Sequence, residues 1–128
     1  RKDKSVPGFF LRFSPEFIGV FGGAHGIDKD QLLKIRRAIA ADPERFRDLV
    51  NEKEFKSHFG EIQGEKHKRV PPEFKEVALD EPLIANKQFY YVAKLPSDKV
   101  LSDDLPDTLM EYWERANPVR TFLLEAMV

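Results

Sequence analysis

Near the start of the chain, Phe9, Leu11 and Phe13 alternate with Phe10 and Arg12. A period of two predicts a strand. Ser14-Pro15-Glu16 reads as a turn, because proline fixes φ and serine bonds to nearby backbone. A second short strand over Phe17–Phe21 completes a hairpin and ends at Gly22-Gly23-Ala24-His25-Gly26. The period then lengthens. Leu32, Ile35 and Ile39, with Leu33 beside them, give one apolar face to a helix from Lys29 to about Ala40, with Asp28 as N-cap and Gln31 at the capping-box position. Asp42-Pro43 starts a second helix, with Asp at the cap and Pro where its missing N–H does no harm. Phe46, Leu49 and Val50 form its stripe. Asn51, three residues before Glu54, predicts the cap of a short third helix that carries Phe55 and Phe59 and ends at Gly60.

The stretch FGEIQGEKHKRVPPEF, Phe59 to Phe74, interrupts this regularity with concentrated charge, glycine and a Pro-Pro pair. Phe74 to Ala85 reads as mostly irregular. Lys87–Lys94 is a third strand in which Phe89, Tyr91 and Ala93 alternate with Tyr90 and Val92, and Pro96 stops it. Ser97 to Leu101 makes a single turn. Pro106 to Ala116 is a helix with Leu109, Met110 and Trp113 inward. Asn117-Pro118 repeats the cap-then-proline signal and predicts a separate last helix faced by Val119, Phe122, Leu123 and Ala126. Strands and helices thus occur in blocks. The pattern predicts an α+β fold: a small, mostly antiparallel sheet with helices packed on one side. The chain opens without Met on a charged segment, so it reads as a portion of a longer protein.

Length and composition narrow this further. The 128 residues suit a single domain. Eleven Phe supply core material, and the absence of Cys excludes a disulfide scaffold, thiolate catalysis and Cys-ligated metal. The expected location is a reducing compartment, the cytoplasm. No apolar run reaches the length of a membrane span. A formal charge of −1 carries no strong nucleic-acid signal.

With these elements placed, the chain resembles the DUF2461 family. Lys2-Asp3-Lys4-Ser5 is similar to the family's KDKSPYK motif, and Pro7 to Ser14 to its Pro-Gly-aromatic strand. Phe17 to Gly23 is similar to the hairpin partner, and Ile35-Arg36 to Pro43 to IRxxIxxxP. Phe55 to Phe74 is similar to FxxxFGxxxGxxxKRxPxxF, Lys87-Gln88-Phe89 to KxF, and Pro118 to Ala126 to the final helix. The family's Tyr-Lys is missing after Ser5, and Asp80-Glu81-Pro82 stands where a His-Pro is usual. The resemblance implies a single α+β domain that lacks the family's N-terminal helical segment, and it implies no reaction.

Candidate chemistry centres on Lys66-His67-Lys68-Arg69. Arginine offers a planar fork to carboxylate or phosphate, and lysine adds a point charge. Gly64 would let backbone approach a ligand closely. Lys87 and Lys4 join from other blocks of the family pattern. The competing reading is a solvated loop, since Glu61, Glu65 and Glu73 offset most of the charge. The glycine loop Gly22–Gly26 precedes a helix as phosphate cradles do, but lacks the P-loop lysine and reads better as a turn. Glu54 and His58 stand one helical turn apart, a spacing seen in metal sites but commoner as a surface contact. No serine sits in a nucleophile motif. Phe89-Tyr90-Tyr91 could stack bases, but without the surrounding pattern of such a motif it reads as sheet core.

The sequence therefore predicts a ligand-binding or interaction domain with a small cationic pocket. Arg69 is its anchor, Lys66 and Lys87 are charge partners, Gly64 is the hinge, and Lys4 and His67 are nearby. The expected partner is an anionic small molecule, with no membrane, metal or cofactor. The alternative is an enzyme acting on an anionic small molecule, with His67 or Glu65 as the proton-transfer group.

Overall fold

The computed structural model describes residues 8–128. Lys2 to Lys4, and with them the expected role of Lys4, lie outside the described residues. Three strands, β1 (Gly8–Phe13), β2 (Phe17–Ala24) and β3 (Phe89–Pro96), form one antiparallel sheet in the order β1-β2-β3. Ser14 closes the hairpin as its chemistry predicts. Its hydroxyl donates to the Phe17 carbonyl at 2.9 Å and accepts from the Phe17 N–H at 3.2 Å.

Register decides what each side of the sheet carries. Ile18 pairs with Leu95, Val20 with Ala93, Gly22 with Tyr91 and Ala24 with Phe89. These positions share a face because side chains alternate along a strand. All of them are buried, and the helices cover this side. On β1, Phe9 and Leu11 pair with Gly22 and Val20, and so join the same face. The other face holds Phe10, Arg12, Phe17, Phe21, Tyr90 and Val92.

The described residues form five α-helices, α1 (Lys29–Ala41), α2 (Pro43–Val50), α3 (Lys53–Phe59), α4 (Lys75–Asp80) and α5 (Leu105–Met127), of which α1 to α3 follow the prediction. The capping box at Asp28 and Gln31 is present in full. Asp42 accepts from the Arg45 N–H with Pro43 behind it. Edge-on and tilted ring contacts join Phe55, Phe59 and Tyr91 in one group and Phe46, Phe89 and Phe122 in another, and Ile35, Ile39, Ile84 and Leu123 belong to the same buried core. An α+β fold with helices on one side of an antiparallel sheet is what the structure shows. No helix among the described residues is long and apolar enough to cross a membrane.

Several boundaries differ from expectation, each for a physical reason. The cap of α3 is Glu52 rather than Asn51; its carboxylate accepts from the N–H groups of Glu54 and Phe55, both at 3.0 Å. Those two bonds hold the carboxyl below its usual range. The passage after Phe74 is not irregular but holds α4 between two 3₁₀ turns, Pro72–Phe74 and Pro82–Ala85. The predicted break at Pro118 does not occur, and α5 runs through it for 23 residues, about 35 Å. An internal proline costs a hydrogen bond and about 3 kcal/mol. Here Pro118 points to solvent, while Ala116 and Val119 on either side of it are buried and hold both halves against the core. Met110, expected inward, is exposed.

Candidate functional site

Within the stretch from Phe59 to Phe74, Gln63 to His67 lies along the beginning of β3 and the turn before it. Gln63 and Tyr90 exchange backbone hydrogen bonds at 2.7 and 3.2 Å. Further on, the Lys87 N–H donates to the Glu65 carbonyl at 2.6 Å, the Gln88 side chain accepts from the Glu65 N–H, and the His67 N–H donates to the Ala85 carbonyl at 2.8 Å. Two isolated antiparallel bridges, Gln63 with Tyr90 and Lys66 with Asn86, thus tie this stretch to the start of β3 and the turn before it. This pairing sets His67 beside Lys87, which are 20 positions apart in the chain.

Gly64 makes the close pairing feasible. Its φ is +151°, and a Cβ there would collide with the Gln88 carbonyl oxygen. The close backbone approach expected of Gly64 is therefore met by the protein's own chain.

Arg36 anchors the other side. It occupies the apolar stripe of α1 between Ile35 and Ile39 and is buried. Its Nε donates to the Ile84 carbonyl at 2.8 Å, and Nη2 reaches the carbonyls of Ala85 and Asn86, both at 3.2 Å. Burial among these groups lowers its pKa. Nη2 also contacts His67 Nδ1 at 2.7 Å. A guanidinium can only donate, so Nδ1 must be the acceptor and the proton of the neutral ring sits on Nε2. Burial first, then the charges of Arg36 and Lys87, hold the His67 pKa below its ordinary value and favour this neutral form.

Between α1 and the His67–Lys87 pair lies a cleft of about 490 Å³. Ile27, Leu32, Leu33 and Pro71 give it apolar walls; Lys29, Arg36, His67 and Lys87 give it donors. Asp28 is also at the rim, but its carboxylate accepts the Gln31 N–H at 2.8 Å. Two of the six sequence candidates, His67 and Lys87, meet here. Arg69 is exposed and outside the lining. Lys66 extends away, its Nζ 3.5 Å from the Pro82 carbonyl. Sequence reasoning gave no site role to Arg36 or Lys29. The signal for Arg36 was present: it stands four residues after Leu32 and three before Ile39, so it is a cation on an apolar face.

The other histidines are engaged elsewhere. His58 bridges α3 and α5, with Nε2 2.6 Å from a Glu111 carboxylate oxygen and Nδ1 2.8 Å from the Glu54 carbonyl. Both contacts are with oxygen acceptors, which is the pattern of a structural clamp. Among the described residues, no group of three or more His, Asp or Glu is placed to hold a metal ion.

The model of the family described as "Conserved hypothetical protein (DUF2461)" matches residues 1–122. No curated protein and no solved structure matches the chain. With nearly its whole length matched, the chain belongs to the DUF2461 family.

Proposed function

We propose that this DUF2461 protein binds a small anionic molecule, carboxylated or phosphorylated, in the cleft between α1 and the His67–Lys87 pair. What carries the reading is the Arg36–His67 contact. It fixes the imidazole as an Nε2–H donor next to two lysines, over apolar walls that suit a hydrocarbon or ring portion of the same ligand. The donors are set before a ligand arrives, because Arg36 is already held by three carbonyls. Such preorganisation lowers the entropic cost of binding.

The tautomer also favours a binding role over catalysis. To act as a base, His67 would have to take a proton on Nδ1, where its basic lone pair already accepts from Arg36, and so give up that contact. Glu65, the other proposed proton-transfer group, is exposed and outside the cleft.

A thermal-shift panel of phosphorylated metabolites, nucleotides and dicarboxylates tests this. A ligand at about 100 times its Kd adds roughly 2.7 kcal/mol, several degrees for a domain of this size. Lys87→Ala should abolish the shift without unfolding the protein, while Arg69→Ala should reduce it less. No shift across the panel, or a shift indifferent to Lys87→Ala, overturns the proposal.

A further inference from the structure

The face of the sheet that no helix covers among the described residues carries a second hollow, of about 540 Å³. Gly23 lies at its floor, and the residues around Gly23 in the register are aromatic. Phe21 precedes it by two and His25 follows by two, Tyr90 pairs with it across β3, and Phe10 pairs with Phe21 across β1. The rings form two pairs. Phe10 and Phe21 are stacked, with centroids 5.2 Å apart and planes 11° apart. His25 and Tyr90 are tilted at 57°, with centroids 4.7 Å apart.

Gly23 cannot be replaced without disturbing the sheet. Its φ is +102°, and a Cβ would meet the Phe89 carbonyl oxygen and sit 2.7 Å from Tyr90 Cα. The backbone between the two ring pairs is therefore bare by necessity. None of these four rings belongs to the buried core, and Phe10 is 59% exposed. Arg12, on the same face of β1, completes the lining with a guanidinium.

We infer that this hollow binds a nucleotide unit, with the base lying flat over Gly23 between the ring pairs and a phosphate taken by Arg12. Base-on-aromatic stacking tolerates any base and is the means by which strand-borne aromatics hold nucleic acid. The flat ring meets flat rings, the floor has no side chain to displace, and the nearby charge is opposite to that of phosphate. Free nucleotides and single-stranded nucleic acid share this chemistry. With Arg12 the one Lys or Arg of the lining among the described residues, a single phosphate contact there would give a single strand a shallow salt response, a slope of about −0.7 in log K against log salt.

Adenosine and uridine monophosphates, and a fluorescein-labelled ten-residue oligouridylate, are titrated against the whole chain at two salt concentrations. Binding weakened tenfold or more in both Phe10→Ala and Tyr90→Ala, and unchanged in Lys53→Ala, an exposed cation of α3 remote from both hollows, is the expected result. Retained thermal unfolding midpoints in these variants would exclude a folding defect, and Arg12→Ala supplies a second, surface-only test. Equal affinity for monophosphate and oligomer identifies a free nucleotide as the source; binding of the oligomer alone identifies a single strand. Binding of none of the probes overturns the inference. So does binding indifferent to Phe10 and Tyr90, or binding lost instead in Lys87→Ala, which would place the nucleotide in the cationic cleft.

Discussion

Both faces of the sheet are rich in aromatic side chains, yet among the described residues only one is covered by helices. Phe89 and Tyr91 point into the helical layer and are fully buried, while Tyr90, between them, points outward beside His25. On β1 the same division separates Phe9, which meets Trp113 edge-on at 5.3 Å, from Phe10, which meets Phe21 at the surface. Adjacent residues of one chemical kind thus do different work. The inner rings fill a close-packed core, where every missing atom is felt. The outer rings contribute less to stability, which leaves them free to serve recognition.

This contrast can be tested from its strongest consequence downward. Phe89→Ala should cost about 3–5 kcal/mol in denaturant unfolding, as deletion of a buried ring leaves a cavity. Tyr91→Phe should act the other way. The Tyr91 hydroxyl is buried without a hydrogen-bond partner among the described residues, and burial pushes its pKa well above the usual tyrosine value. Removing it should leave stability unchanged or raise it by about 1 kcal/mol. A clear loss of stability would show that the hydroxyl has a partner.

Neither face accounts for sensitivity to acid, which should trace in part to His67. Its folded pKa lies below the ordinary histidine value of about 6.5. The unfolded chain therefore takes up the proton first as pH falls. The contribution of His67 is present above about pH 6.5 and is lost as pH drops from there through the lower folded value. His67→Asn, which keeps an acceptor for Arg36 but does not titrate, should flatten that part of the profile. An unchanged profile would assign the acid loss to other groups. The smallest effect belongs to the outer face: Phe10→Thr should shift stability by no more than about 0.5 kcal/mol. A loss comparable to that of Phe89→Ala would mean that this face is covered in solution.

Local chemistry made much of the fold readable in the sequence. Ser14, Asp28 with Gln31, and Asp42 with Pro43 each act within a few residues, and each does what its neighbours imply. Pro118 failed as a stop signal because tertiary burial on both sides outweighed a local preference. The candidate site was readable only in part. His67 and Lys87 could be named from the basic run and the family pattern, but their meeting depends on backbone pairing across the Gly64–Gln88 contact. Arg36 escaped notice because its acceptors, the carbonyls of Ile84, Ala85 and Asn86, lie some fifty positions away. No window of sequence displays such a partner set.

The position of β2 has a kinetic consequence. It pairs on one side with β1 through a turn of a few residues and on the other with β3, which the chain reaches only after α1 to α4 have been made. The first pairing closes a short loop; the second must first meet the entropy of a long one. The hairpin should therefore form early and the β2–β3 ladder late, giving refolding a slower phase than the helical content alone would suggest. Until that ladder closes, the inner edge of β2 stands unpaired with Ile18, Val20 and Ala24 exposed beside it. Substitutions that loosen β3, Phe89→Ala among them, should then lengthen the time the chain spends open to aggregation.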